Sequence, residues 1–429
     1  MAGTEKIYYL KQQSPMLHFQ HADFDATLRA TELKPKLDRF IEKWLGKKNI
    51  EIPSEWRLKK DPEDQNSKRE IEKKGSALHY RVRVFNMDGN TVKKPSPGMP
   101  YFGNMGRDSE EKKCVMAKGC IEVHIRCYIR ELLDVIDDCL PTFFLTTNFG
   151  TRQDKGFGGF VLCGSDGQLL NKRAENEELL TLWYGGNRIY CIRYRQQTSP
   201  DDKLNDICTI YKILKSGIND PVAGNKINRP YIKSYLWEYF DAKGIDWEKK
   251  ALKYRGIAPK VYSDRDHVPA APGPNERYIR GLLGIGDQQQ WFSSDGEGRK
   301  IIDHHNEKGK PVYKKETILI ESENSDIKRI PSPLTFKIIG NTIYILPEEI
   351  DSRIPGSSFR FSNNSNKSID PVSLQIPYAE EFDLNEILSG FRDKVNSPEV
   401  KDEFEKRPEE KRPVFIRQGC SMEVLGDKR

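Results

Sequence analysis

Residues 149–160 of this sequence, FGTRQDKGFGGF, place one arginine and one lysine among four glycines. Glycine allows a ligand to approach the backbone closely, and cationic side chains suit phosphate oxygens. The stretch therefore predicts either a loop that holds a phosphate-bearing ligand or a tight helix-to-strand connection whose charges are solvated. The residues of interest are Gly150, Arg152, Lys155, Gly156, Gly158 and Gly159.

Two common nucleotide-binding motifs do not fit this spacing. A P-loop needs Gly-x-x-x-x-Gly-Lys followed by Ser or Thr, whereas Lys155 precedes Gly156 and no hydroxyl residue stands in the magnesium-binding position. A dinucleotide-binding turn follows a strand and opens a helix, but residues 160–163, FVLC, predict a strand directly after the loop. Both motifs are therefore excluded for this loop.

The composition indicates a multidomain globular protein without a membrane span. The chain has 429 residues, enough for about two or three domains, and no apolar run approaches the ~20 residues of a transmembrane helix. The formal net charge is only +6, from 70 basic and 64 acidic side chains, so net charge alone is a weak argument for nucleic acid. We expect a cytoplasmic protein without a signal peptide.

Eight cysteines include no Cys-x-x-Cys pair, and several lie within apolar patterns. We expect buried, reduced thiols. A zinc site formed by Cys120, His124 and Cys127 is the alternative, but strand alternation would place His124 and Cys127 on opposite faces. We predict neither a metal nor a cofactor.

The first 165 residues predict the succession β-α-β-β-α-β, the split βαβ or ferredoxin-like unit. Residues 5–13 begin as a strand, and residues 30–45 place apolar side chains at helical spacing. Residues 77–86 and 120–130 alternate apolar and polar residues, as strands do. A helix over residues 131–145 then precedes the glycine-rich stretch and a last strand.

The polar sides of the two alternating strands are largely basic. Helices cover one face of such a sheet, and the other face is free to meet a ligand, as in RNA-recognition modules. The alternative is a face that is solvated or packed against another domain. The candidate RNA-binding residues are His79, Arg81, Arg83, His124, Arg126, Tyr128 and Arg130.

The stretch NFGTRQDKGFGGF, between the second predicted helix and the last strand, resembles the glycine-rich loop of the RAMP superfamily of CRISPR-associated proteins. Its Gly-x-Arg step and its Gly-Phe-Gly are most similar to the Cmr-type subunit that caps the crRNA 3′ end of type III-B complexes. That subunit usually has further basic residues where this chain has Gln153, Asp154 and Lys155. Short stretches at 30–41, 231–253, 278–286 and 329–346 are similar as well.

The resemblance implies a non-catalytic RNA-binding subunit in antiviral defence. Its partners would be crRNA, target RNA and other RAMP subunits of a type III effector complex, and no membrane. Arg152 and Lys155 would contact phosphates. Lys34 and Lys36, in the segment that opens the first helix, are further RNA-binding candidates.

The resemblance also raises an alternative, a RAMP endoribonuclease. Backbone subunits of this superfamily place a target-cleaving aspartate between the first strand and the first helix, where this chain has His18, His21, Asp23 and Asp25. An aspartate there can hold a metal or position the 2′-hydroxyl for in-line attack. In the competing interpretation Asp25 and Thr27 cap the helix, and the histidines are packed or face solvent.

For the remainder of the chain the resemblance implies a second ferredoxin-like domain. We predict an α+β protein with ferredoxin-like domains over residues 1–165 and 166–380, the second with a helical insertion at about 228–256 and mobile loops, and a C-terminal helix and charged tail over 381–429. Residues 263–277 and 292–311 predict turn-rich inserts, residues 357–368 another loop, and residues 401–413 a solvated segment. The strand order of the second domain does not follow from the sequence.

Overall fold

The computed structural model describes residues 4–17, 27–58, 77–93, 114–185, 188–219, 230–257, 272–293, 300–306, 309, 311–324, 327 and 330–426. The fold is α+β, as the sequence predicts. The candidate nuclease residues His18, His21, Asp23 and Asp25 lie outside the described residues.

The first part of the chain forms a four-stranded antiparallel sheet, here called sheet A, with the order β3-β6-β1-β7. The predicted β-α-β-β-α-β succession is present as β1, α1, β3, β6, α2 and β7, and β2, β4 and β5 form a separate small sheet. The elements are β1 (Thr4–Gln12), β2 (Met16–Leu17), α1 (Ala30–Lys47), β3 (Tyr80–Phe85), β4 (Asn90–Lys93), β5 (Cys114–Ala117), β6 (Ile121–Cys127), α2 (Arg130–Thr146) and β7 (Phe160–Cys163).

Alternation along the strands gives sheet A one apolar and one polar face. Ile121, Val123 and Ile125 of β6 are buried in a core that they share with α1 and α2. The intervening residues His124 and Arg126 lie on the opposite face. Sheet A therefore packs its helices on one side only.

The second part of the chain builds another four-stranded antiparallel sheet, here called sheet B, with the order β17-β18-β8-β21. The elements after β7 are α3 (Arg173–Tyr184), β8 (Tyr190–Arg193), α4 (Pro200–Lys215), β9 (Ile218–Asn219), β10 (Tyr231–Ile232), α5 (Tyr235–Asp241), β11 (Asp246–Trp247), α6 (Glu248–Ala251), β12 (Glu276–Arg277), β13 (Gln288–Phe292), β14 (Ile302–His305), β15 (Pro311–Tyr313), β16 (Lys315–Ser322), β17 (Leu334–Ile339), β18 (Thr342–Pro347), β19 (Ser358–Asn363), β20 (Val372–Gln375), α7 (Leu384–Asn396), α8 (Pro398–Glu405), α9 (Val414–Arg417) and β21 (Met422–Val424).

Sheet B repeats the connectivity of sheet A, because its elements follow one another as β8, α4, β17, β18, α7 and β21. A long insertion separates α4 from β17. Part of it joins β19 and β20 in a six-stranded sheet with the order β11-β12-β20-β19-β16-β13. The stretch predicted as a helical insertion, about residues 228–256, contains α5, α6 and the π-helical turn Leu252–Ile257. Its assignment as an insertion into a ferredoxin-like domain stays a prediction.

Sheet B is buried on both faces. Ile343 and Ile345 of β18 belong to a core that includes α4, whereas Tyr344 and Leu346 share a core with Phe143 of α2 and other residues of the first unit. Sheet B therefore lies between α4 and the helices that cover sheet A, and sheet A is an outer layer.

Several local predictions were wrong. Residues 358–363, expected in a loop, form β19, which pairs with β16 and β20. The stretch 401–413, expected to be solvated, lies partly in α8, whose Val400 and Phe404 are fully buried. The strand predicted to reach Arg130 ends at Cys127, and Arg130 is instead the first residue of α2. The predicted domain boundaries stay predictions.

A candidate nucleic-acid interface

The glycine-rich loop, residues 149–159, is fixed by backbone hydrogen bonds to the segment that follows β1. The Gly158 amide donates to the Pro15 carbonyl at 2.9 Å, and the Thr151 amide donates to the Leu17 carbonyl at 2.8 Å. The Gly150 amide donates to the Glu32 carboxylate of α1 at 2.6 Å. The loop is thus a defined surface, not a loosely solvated connection.

Four residues of this loop have positive φ angles: Gly150 (80°), Arg152 (57°), Gly156 (86°) and Gly158 (68°). A Cβ atom at Gly158 would lie 1.9 Å from the Phe149 carbonyl oxygen, so only glycine fits there. Arg152 is one of two non-glycine residues with positive φ in the described part of the chain. Strained backbone of this kind is concentrated at ligand-binding sites.

Strand β17 of sheet B holds both ends of the glycine-rich loop. The buried Lys337 ammonium donates to the Thr147 carbonyl at 2.7 Å and to the Phe160 carbonyl at 3.2 Å. Asn148 donates to the Phe336 carbonyl at 2.9 Å. Burial, reinforced by Lys36, holds the pKa of Lys337 well below its usual value. The two units therefore position the loop together.

The loop forms one wall of a cleft of about 870 Å³, within the size range of ligand sites. The other wall comes from the second unit, from α4, α6 and the segment 278–291. Five cationic side chains line this cleft, together with three aromatic side chains and three successive glutamines. The lining residues include Arg152, Lys155, Lys215, Lys249, Arg280, Tyr211, Tyr278, Trp291, Gln288, Gln289 and Gln290.

Lys155 sits at the junction of the two walls. Its Nζ atom lies 3.0 Å from a carboxylate oxygen of Asp154 and 3.4 Å from the ring centroid of Tyr211 on α4. Burial lowers the pKa of Lys155, but Tyr211 and Asp154 outweigh burial and the net pKa is raised. Burial raises the pKa of Tyr211, and the ammonium groups of Lys155 and Lys215 reverse that effect, so the net pKa is lowered.

The cations of the second wall are crowded. The Lys215 Nζ atom donates to the Gly284 carbonyl at 3.0 Å, and the Lys249 Nζ atom donates to the Ser216 carbonyl at 3.0 Å. Burial and the nearby Arg280 lower the pKa of Lys249 to about 8. Burial also lowers the pKa of Lys215, and Lys155 and Arg280 lower it further. Such a site favours an anion, which would relieve the repulsion among these groups.

Two carboxylates near the cleft already have cationic partners. Asp154 pairs with Lys155, and the fully buried Glu248 pairs with Arg280. Arg280 also donates to Gln289 at 3.1 Å. The positive charge of the cleft is therefore only partly offset.

The structure gives Lys34 and Lys36 partners within the protein. Lys34 donates to Asp38 and, at 3.0 Å, to the Leu78 carbonyl. Lys36 donates to the Asn148 carbonyl at 2.7 Å, to Glu32 and to Gln153. Lys36 thereby links α1 to the glycine-rich loop and to the residue that precedes it. The predicted RNA contacts of both lysines stay predictions.

The basic residues predicted on sheet A lie together on its outer face. Arg81 is directly opposite Arg126, and Arg83 is directly opposite His124. Tyr128 and Arg130 follow the end of β6 and lie beyond the sheet. Gly159 lies behind the loop, where its amide donates to Ser14 Oγ at 2.8 Å.

Sequence reasoning missed the second wall of the cleft. Lys215, Lys249 and Arg280 come from three separate segments. Stretches 231–253 and 278–286 resemble the family, but that resemblance assigned no role to their cations. One available signal was the i, i+4 spacing of Tyr211 and Lys215, which places both side chains on one side of a helix. The sequence alone offers no reason to bring that helix to the loop.

The cysteines, the possible metal ligands and the apolar helices of the chain were each compared with the predictions from the sequence. All eight cysteines are free thiols, six of them buried. Among the described residues, no group of three or more His, Cys, Asp or Glu side chains could hold a metal ion. The described helices include none that is both long and apolar enough to cross a membrane.

A cationic, aromatic-lined cleft between two α+β units suits a polyanion such as nucleic acid. The chain belongs to the Cmr1 family, because residues 4–218 match the model of the Cmr1 N-terminal domain and residues 231–412 match that of the Cmr1 C-terminal domain. The predicted resemblance to a Cmr-type RAMP subunit is thereby confirmed.

Comparison with the curated proteins returned no match. Among solved structures, one chain of "Cryo-EM structure of the Type III-B Cmr-beta bound to cognate target RNA" is similar at 13% identity with a TM-score of 0.25. The match covers 38% of this chain and 60% of that chain, so it spans less than two thirds of its length. A similarity of this size supports no statement about this chain.

Proposed function

We propose that this chain is a non-catalytic RNA-binding subunit of a type III-B-like CRISPR effector complex, which holds the crRNA 3′ region, the target RNA or both in antiviral defence. The observation that carries the proposal is the cationic cleft whose one wall is the glycine-rich loop. Membership of the Cmr1 family supports it. The other RAMP subunits of such a complex are the protein partners we propose.

The cleft offers the two kinds of contact that single-stranded RNA requires. Ammonium and guanidinium groups of both walls would bind phosphate oxygens, with Arg152 and Lys155 on one side and Lys215 and Lys249 on the other. The Lys155 Nζ atom is buried against Asp154 and Tyr211 in the free chain, so it would exchange Asp154 for a phosphate on binding. Trp291, only partly buried, offers a ring on which a base can stack. Binding would therefore depend strongly on salt and weakly on base sequence.

We further propose that sheets A and B are a pair of ferredoxin-like domains. Their shared strand order and shared succession of elements support this proposal. The second domain then carries the insertions that build the far wall of the cleft. A duplicated unit of this kind provides a binding site at its internal junction.

The proposed role is binding and not RNA cleavage. Asp154 in the cleft and the buried Glu248 beside it are each engaged with a cation, so neither carboxylate is poised as a general base. The alternative is an endoribonuclease that acts through Asp23 or Asp25, with His18 or His21. These residues lie outside the described part of the chain.

The test is filter binding of a labelled crRNA-like single strand across a salt series. The Arg152→Ala, Lys155→Ala double variant is compared with wild type and with Arg173→Ala, Arg417→Ala, which removes two exposed arginines that do not line the cleft. Log affinity falls as log salt concentration rises, and removing one phosphate-binding cation should make this fall shallower by about 0.7 in slope. We expect the salt dependence of the loop variant to be shallower by ~1.4 in slope and that of the control to be unchanged. The RNA should stay intact in every sample.

Two results would contradict the proposal. Equal binding by the loop variant and the wild type would make the loop a connection only. Cleavage at fixed positions that disappears with Asp23→Ala or Asp25→Ala, while binding survives, would establish the nuclease instead. Thermal melts of each variant distinguish weaker RNA binding from a failure to fold.

A further inference from the structure

The outer face of sheet A is a second place where the chain presents positive charge. It is formed by three rows across the strands, in the order β3, β6 and β1. The register places Arg81, Arg126 and Glu5 in the first row, Arg83, His124 and Ile7 in the second, and Phe85, Glu122 and Tyr9 in the third. Helices cover the other face of the sheet. On this face Tyr9, Glu122 and His124 are partly buried and the other six residues are exposed.

The arginines are concentrated at the β3 edge. Arg81 and Arg83 are exposed, and their side chains form no ion pair or hydrogen bond with the described residues. The two carboxylates of the face contact His124 instead, Glu122 at 3.2 Å and Glu5 at 3.7 Å. Glu5 lies directly opposite Arg126 on β1. Within the described part of the chain, Arg81 and Arg83 at the β3 edge have no carboxylate partner.

Arg126 has Glu5 directly opposite it on β1, but Arg81 directly opposite it on β3, and this second pairing is unfavourable for the free protein. Like charges directly opposite each other on neighbouring strands destabilise a sheet. A phosphate group between the two guanidinium groups would turn this repulsion into attraction. Binding of a polyanion would therefore relieve the repulsion between the two guanidinium groups.

Aromatic and apolar side chains continue the same face. Phe85 is 39% exposed and its ring lies 4.8 Å from that of His124, and Ile7 is 48% exposed. Arg81 and Arg83, two residues apart along β3, are separated by about 6.8 Å. Successive phosphates of an extended strand can follow this spacing while a base stacks on Phe85.

We propose that the β3 edge of sheet A, formed by Arg81, Arg83, Arg126 and Phe85, is a separate binding site for single-stranded RNA. It lies on the outer layer of the molecule, whereas the cleft lies between the two units. RNA is favoured over a protein partner because two of the arginines, Arg81 and Arg126, are directly opposed and the described carboxylates of this face are engaged with His124. The site does not depend on the cleft.

The test uses a labelled oligouridine strand and the full chain at low salt. Arg81→Ala, Arg83→Ala should weaken binding and lower the salt slope by ~1.4, that is about 0.7 for each contact. Phe85→Ala should weaken binding about tenfold without changing the slope, because stacking releases no counterions. Arg173→Ala, Arg417→Ala is again the control that changes charge equally.

A second measurement distinguishes a binding role from a structural one. Arg81→Ala should raise the melting temperature of the free chain slightly, because it removes the opposed like charges, while it lowers RNA affinity. A lower melting temperature together with unchanged affinity would overturn the proposal. Oligouridine binding that is undetectable in the wild type at low salt would overturn it as well.

The two sites can be separated by combining variants. If RNA uses both, the slope changes of the loop variant and of the β3 edge variant should add. If the loop variant alone weakens binding, the face serves another purpose, such as contact with a protein, and only the cleft stands. If the edge variant alone weakens binding, the proposed function of the cleft fails and the outer site stands.

Discussion

Sheets A and B have the same strand order and the same succession of elements, yet their surroundings differ. Every residue of β18, at the centre of sheet B, is buried, whereas β3, at the edge of sheet A, alternates between exposed and covered residues. Sheet B is buried on both sides because helices pack on both. Sheet A keeps a charged outer face that no helix covers. This uncovered face is the surface that we propose for RNA binding.

The two units also divide the cleft between them. The first unit supplies a strained glycine-rich loop, whose geometry is set by β17 of the second unit. The second unit supplies cations from α4, α6 and the segment around Arg280. Neither wall is complete alone, so the site depends on how the units are joined.

The largest expected effect concerns the loop that joins the units. Gly158→Ala combines a positive φ with a Cβ placed 1.9 Å from a backbone oxygen, and we expect a loss of about 2–5 kcal/mol in the free energy of unfolding. Gly340→Ala is the matched control, since its φ is also positive and nothing lies within 4 Å of the added Cβ. Denaturant unfolding of both variants checks this, and equal losses would show that the loop is not tightly held.

The contrast between the sheets predicts the next effect. Ile343→Ala in sheet B removes a fully buried side chain and should lower the free energy of unfolding by about 2–5 kcal/mol. Ile7→Ala on the outer face of sheet A should change it by less than about 0.5 kcal/mol. Denaturant titrations measure both. A large loss for Ile7→Ala would mean that the outer face is packed and not open.

The third effect concerns the second wall of the cleft. Lys215→Ala, Lys249→Ala should reduce the salt slope of RNA binding by ~1.4, as the loop variant does, if both walls contact the same strand. Filter binding with the same labelled RNA measures the slope. A slope equal to that of the wild type would restrict the site to the glycine-rich loop.

The smallest effect is a pH dependence that arises from Lys249. Its pKa of about 8 is depressed first by burial and then by Arg280, with Glu248 acting in the opposite direction. Phosphate favours the charged form, so RNA affinity should be highest below pH 8 and fall as the pH rises through it. Lys249→Arg should flatten this fall, because a guanidinium group stays charged. Identical pH profiles for the two proteins would remove Lys249 from the site.

The sequence predicted the first unit well because its signals are local. Alternation in β3 and β6, the helical spacing of α1 and the punctuation of the glycine-rich loop lie within one stretch of chain. In sheet B, by contrast, α4 ends at Lys215 and β17 begins at Leu334. Pairing across such an insertion depends on tertiary packing, which no local pattern specifies.

The difference between local signals and long-range packing also explains which residues of the cleft were predicted from the sequence and which were not. Arg152 and Lys155 belong to a recognisable motif, whereas Lys215, Lys249 and Arg280 acquire meaning only when the second unit folds against the loop. Residues 358–363 contain polar and turn-forming residues, which indicated a loop. Pairing with β16 and β20 on both sides overrides that local preference.

The central claim is that RNA lies in the cleft between the two units. Photocrosslinking of a 4-thiouridine-containing crRNA-like strand to the full chain, with the crosslinked peptides identified by mass spectrometry, tests it most directly. We predict crosslinks in residues 149–159 and in the second-wall segments around Tyr211 and Trp291. Bound RNA that crosslinks elsewhere and never to these segments would contradict the account.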